Sequence, residues 1–184
     1  MLKKKNKKKR MVDIKWIIIV TICAFVMSTI FSSIMELVTN KLSLILGAVL
    51  IIGVIIVGVL FDIVGVAITA CDIKPFNSMA SKKVRGSKTA IELIKNKEKV
   101  SAFCNDVVGD VCGVVSGSVG IILAVMISDI VRSKSIIITV MVTAIISALT
   151  IGSKALGKSY AISKSEKIIF RFSKVVSFFK KEAK

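Results

Sequence analysis

An all-α integral membrane protein, with about four transmembrane helices, a basic cytoplasmic juxtamembrane hairpin and a C-terminal amphipathic helix, is the fold class this sequence predicts. Long apolar runs are the first reason: Trp16 to Leu37, Leu44 to Ala70, Ser101 to Ile127 and Ile136 to Ile151. About 20 apolar residues in helical form cross the hydrocarbon core of a bilayer. Inside lipid the backbone must satisfy its own hydrogen bonds, which a helix does. Composition is the second reason: 54% of the 184 residues are hydrophobic and mean hydropathy is +0.83, above the apolar share of a soluble domain. The third is the placement of charge. Of the 28 Lys and Arg residues, 25 fall in Met1–Lys15, Asp72–Val100 and Gly152–Lys184, and the other turns hold only Lys41, Arg132 and Lys134. Loops rich in Lys and Arg stay on the cytoplasmic side. The chain is therefore expected to be a multi-pass protein of the cell membrane with both termini cytoplasmic.

Residues 1–15 are a basic cytoplasmic tail. The run after it is too long for a signal-peptide core and no small-x-small cleavage site follows it, so residues 16–40 are expected to stay as an additional N-terminal transmembrane helix. The second run, rich in Ile and Val, is interrupted by Gly47, Gly53, Gly58 and Gly65, and small residues mark close approach between membrane helices. Pro75 breaks the chain just beyond it. In the basic hairpin Ala90, Ile91, Leu93 and Ile94 make a short amphipathic helix with Ser87 as its expected N-cap. The third span carries Gly109-x3-Gly113-x3-Gly117, a tandem small-residue stripe. Residues 163–184 form a basic amphipathic helix. Ile168, Phe172, Val175 and Phe179 share one face, with Lys167, Arg171, Lys174 and Lys181 on another, which suits the headgroup region and anionic lipid. Lys154 and Lys158 are expected to snorkel to the cytoplasmic surface.

Several function classes fall away. A net charge of +17 suits nucleic acid or an anionic membrane surface. The charges lie between apolar runs, and one Tyr and one Trp leave little to stack bases on, so no nucleic-acid partner is expected. With no histidine, the commonest general base and transition-metal ligand are both missing. No nucleophile–base pair stands out, and no enzymatic activity is expected. Cys23, Cys71, Cys104 and Cys112 make no CxxC pair and read as membrane-buried thiols. Gly152-x4-Gly157-Lys158-Ser159 matches the P-loop spacing but follows a transmembrane run instead of a buried strand, so the match is a coincidence.

The residues that carry chemistry are carboxylates. Asp106 and Asp110, four apart, share one helix face of the third span. A carboxylate inside a span costs at least about 2.5 kcal/mol and normally faces a cavity or the bundle interior. Wet interfacial residues are the competing reading, because both lie near the cytoplasmic end. Asp62 of the second span lies toward the same side, and antiparallel packing brings it toward them. With Asn105, Thr69 and Ser116 these make a hard-oxygen set of the kind Mg²⁺ takes. No basic residue falls inside the spans so delimited, so a metal ion is the expected counter-charge; a protonated carboxylate or a proton relay is the alternative. Glu36 reads as an interfacial anchor.

From Phe61 to Phe179 the order of features resembles the transmembrane domain of the CNNM/CorC (CorB) magnesium transporter family. Phe61-Asp62-Ile63-Val64-Gly65-Val66-Ala67-Ile68 stands where that family has a core-helix motif. Arg85 to Ile94 resembles its juxtamembrane helix, and Lys97-Glu98-Lys99-Val100 the lead-in to the next span. Asp106 and Asp110 are similar in position to the family's asparagines, and Gly157-Lys158-Ser159-Tyr160-Ala161 to a late motif. The family's core glutamate falls on Gly65, and the chain after Gly152 is too short for its CBS pair. The resemblance implies a CorC/CNNM-like transmembrane domain over residues 41–162, a homodimer, and divalent-cation handling of the Mg²⁺ transport or efflux type. A carried-over ion site would centre on Asp62, Asp106 and Asp110. The alternative expectation is a non-transporting scaffold or regulator held to anionic lipid by the basic segments.

Overall fold

The computed structural model describes residues 14–39, 43–131 and 136–179. The basic tail as far as Asp13, the turn residues Lys41, Arg132 and Lys134, and the chain after Phe179 lie outside the described residues. Among those described, all regular structure is helical, and four helices are long and apolar enough to cross a membrane. The chain is a multi-pass all-α membrane protein, as its sequence predicts. The helices are α1 (Ile14–Thr39), α2 (Leu44–Ala70), α3 (Lys74–Ser81), α4 (Ser87–Lys95), α5 (Lys97–Ala102), α6 (Asp110–Ile130), α7 (Ile136–Ser163) and α8 (Ser165–Phe179), with a π-helical stretch, Phe103–Gly109, between α5 and α6.

Helix α2 is the axis of the bundle. It packs on α6, on α7 and on the π-helical stretch, while α1 lies outside against α6 and exposes Ile18, Ile22 and Phe25. Gly47 and Gly58 of α2 face Leu123 and Cys112 of α6, and a Cβ at Gly58 would come within 2.9 Å of the Cys112 Cβ. Glycine there lets the two helices approach more closely than a side chain allows. Gly53, and Gly113 and Gly117 of the tandem stripe, face open space instead. Ile51, Val111, Val115, Val119 and Leu123 fill the α2–α6 contact, with Met27 of α1 and Ile146 of α7 packed against them.

The other end of α2 carries a second core. Ala67, Ile68, Phe76, Ala90, Ile94, Ala161 and Ile169 meet there, so α3, α4 and α8 cap one end of the bundle. Pro75 sits in the first turn of α3, where the backbone N–H of any residue would lack a partner within the helix. The N-cap position of α4 belongs to Gly86, not to Ser87 as expected. Gly86 has φ +88°, and a Cβ on it would meet Lys174 Cγ of α8 at 3.1 Å. Ser87 is the first helical residue and its hydroxyl donates back to the Val84 carbonyl at 2.6 Å. On α8 the most buried face is Ile169, Ser173 and Ser177, one position round from the apolar face predicted. Serine is small enough for close packing on α2 and α4. Of the predicted face, Val175 and Phe179 stay exposed, as does Phe178.

All four cysteines are free thiols; Cys71, Cys104 and Cys112 are buried. Burial, with Glu166 and Asp72 beside it, pushes the Cys71 thiol up to about 11, so it stays protonated at neutral pH. Phe76 is fully buried in the capping core. Phe76→Ala is expected to cost about 3–5 kcal/mol, read as a lowered thermal midpoint in detergent by circular dichroism.

Candidate ion-binding site

Two backbone features position the site. Helix α7 runs unbroken from Ile136 to Ser163, 28 residues, well past the predicted end at Ile151. The stretch that matches P-loop spacing is therefore helix, with no phosphate-cradling loop. The second feature is the π-helical turn, which widens the third span just where Asn105 and Asp106 sit; the Asp110 N–H donates back five residues to the Asn105 carbonyl. Such turns often occur at functional sites.

Asp62 is 4% exposed in the middle of the bundle. Gly109 makes room for it, since a Cβ at Gly109 would collide with the Asp62 carboxylate. Lys154 of α7 reaches into the same place. Its Nζ lies 3.1 Å from Asp62 Oδ2 and 3.7 Å from Asp110 Oδ1, and it donates to the Gly109 carbonyl at 3.0 Å. This corrects two expectations. Lys154 does not snorkel to the surface, and the spans do contain a cation facing the carboxylates. The physical reason is register: α7 stays helical for three turns beyond its apolar run, so Lys154 remains at the level of Asp62 and Asp110. A buried carboxylate that keeps a partner avoids a penalty of several kcal/mol. The Asp110 side chain is 71% exposed, and its share of the pairing is small.

Asp62, Asn105, Asp106, Asp110, Lys154 and Lys158 line one cavity of about 530 Å³. Three carboxylates stand there against two ammonium groups, leaving one formal negative charge. Of the six predicted ligands, four are brought to this cavity. Ser116 is 2% exposed, donates to the Gly113 carbonyl at 2.9 Å, and lines an adjoining cavity of about 250 Å³ that shares Ile151 and Lys154 with the first. Thr69 is exposed and donates to the Val66 carbonyl at 2.7 Å, away from both. Sequence reasoning missed Lys154. The signal was there in the spacing of Thr150, Lys154 and Lys158, which continues one face of α7 across the predicted helix end.

The donor set fits a hydrated cation better than a dehydrated one. Among the described residues no three Cys, Asp or Glu side chains converge closely enough to hold a metal between them. Mg²⁺ needs no such cage: it keeps several waters and takes one or two carboxylates. Asn105 lines the cavity, but its Oδ1 is buried against Gly65 of α2 with no hydrogen-bond partner. Its amide NH₂ donates to Ser101 Oγ at 3.3 Å.

No family model matches the chain, and no curated protein or solved structure matches it either.

Proposed function

We propose that this membrane protein binds and passes divalent cations, with Mg²⁺ as the cargo, as a homodimer with both termini in the cytoplasm, and that it is not an enzyme. The observation that carries the reading is the shell around the Lys154 ammonium. Inside a membrane bundle, a carboxylate, a backbone carbonyl and a second carboxylate converge on one positive charge. Oxygen acceptors arranged for a tethered cation also suit a free one. In this reading Lys154 holds the place when no cargo is present, so Asp62 is never left bare. A hydrated divalent ion entering the cavity exchanges with the ammonium and draws on Asp62, Asp106 and Asp110. The resemblance to the CNNM/CorC family supports the choice of Mg²⁺. Gly113 and Gly117 line the open groove between α6 and α7, and such small residues leave room for the close approach of a second copy's helix.

The test is a calorimetric titration of Mg²⁺ into the purified protein in detergent. Saturable binding, weakened at least about tenfold in Asp106→Asn/Asp110→Asn, is the expected result. An intact protein that takes up no Mg²⁺ would overturn the reading. The exposed Val175, Phe178 and Phe179 of α8, on a helix that also bears Lys167, Arg171 and Lys174, favour the second reading, a scaffold on anionic lipid. That reading expects the aspartates to tolerate Asn and function to fail when the basic residues of α8 are neutralised.

A further inference from the structure

A separate cavity of about 280 Å³ opens where α1, α2, α4, α5, the π-helical stretch and α8 meet. Trp16, Phe61, Phe103 and Phe172 supply its aromatic wall, and Lys99 is its one charged lining residue among those described. The Lys99 Nζ sits 5.1 Å from the centre of the Trp16 ring, a cation–π distance. We propose that this cavity is a specific site for one anionic phospholipid, its acyl chain among the rings and its phosphate on Lys99. The inference does not depend on the ion site.

Three observations choose the occupant. The walls are apolar, so water gains too few partners there, whereas a hydrocarbon chain fits. The depth is right: Trp16 lies at the start of the first membrane-spanning helix and Lys99 at the start of the third, where headgroups meet the hydrocarbon and where Trp gathers in membrane proteins. The charge is complementary, because no acidic side chain among the described residues lines the cavity. Along the chain, bases (Lys97, Arg171) and acids (Glu92, Glu98) both flank its lining residues, so the selecting charge is Lys99 itself. A zwitterionic lipid offers Lys99 no net charge, and an anionic one does.

Trp16 is the chain's only tryptophan, so its fluorescence reports on the site directly. The experiment titrates the full-length protein in detergent with phosphatidylglycerol or phosphatidylcholine carrying brominated chains, which quench tryptophan on contact. Saturable quenching by phosphatidylglycerol at about one lipid per chain is expected, with phosphatidylcholine about fivefold weaker, the factor one lysine contributes at an anionic surface. Lys99→Gln should abolish that preference, and Val176→Phe, which fills the cavity, should abolish the saturable phase. Circular dichroism establishes that each variant keeps its helix content; should Val176→Phe lose it, Lys99→Gln decides. Equal quenching by both lipids, a preference that survives Lys99→Gln, or no saturation at all would each overturn the proposal, the last indicating ordinary boundary lipid only.

Discussion

Lys154→Met is expected to make the protein markedly less stable without divalent cations and a tighter Mg²⁺ binder with them. The substitution keeps the length and apolar stem of the side chain but leaves the Asp62 carboxylate, 6% exposed, with no ammonium beside it. Removing one partner of a buried pair costs about 3–5 kcal/mol. For a chain of this size that lowers the melting midpoint by about 10 °C. Added Mg²⁺ should recover most of the loss, because the ion restores positive charge to the site. Its affinity should rise at least about tenfold, since no tethered cation must leave first. Asp62→Asn combined with Lys154→Met removes both charges, so stability should return while the response to Mg²⁺ disappears. Thermal melts of the three forms with and without Mg²⁺ measure all of this. Unchanged stability in Lys154→Met would mean that the ion pair does not hold the bundle together.

Gly65→Val is the second large effect. A Cβ at Gly65 falls on the Asn105 amide, and the two extra methyl groups have nowhere else to go in the α2 contact with the π-helical turn. Overpacking of this kind costs about 1–3 kcal/mol. It also displaces Asn105 from the cavity, so Mg²⁺ affinity should fall together with stability. The smaller Gly65→Ala, combined with Asn105→Ala, tests the contact itself: Asn105→Ala should recover part of the stability that Gly65→Ala alone removes, giving a coupling of about 0.5–3 kcal/mol between the two sites. Additive losses would show that the clash is relieved by shifts elsewhere.

The four spans and the capping hairpin were legible because lipid imposes a length on apolar runs and few other rules. The gathering of Asp62, Asp106 and Asp110 was legible from antiparallel packing alone. The role of Lys154 was not, for a reason of the same origin. Hydropathy marks where apolar residues stop, while a helix stops where its backbone loses support, and α7 is supported by α2 and α8 as far as Ser163. A charge in that overhang looks interfacial in sequence and is internal in the fold. The π-helical turn has no composition that sets it apart from α-helix, since one extra residue per turn changes hydrogen-bond register and not side-chain chemistry. The docked face of α8 was missed because serines at Ser173 and Ser177 count as polar in a periodicity, although their hydroxyls are satisfied by their own helix at 2.9 Å.

The Asp62–Lys154 pair also has a history during synthesis. Asp62 leaves the ribosome 92 residues ahead of Lys154. At about 5–20 residues per second, translation runs for roughly 5–20 s with the carboxylate made and its lysine not yet joined to the chain. The penalty of about 2.5–3.5 kcal/mol for one aspartate is small beside the apolar surface of the 27-residue α2, so α2 can enter the bilayer unaided. It enters as an acid without its base, and Asp62 acquires its counter-charge only when α7 arrives. Membrane integration and polar assembly are thereby separate events in time, and α7 closes the second of them.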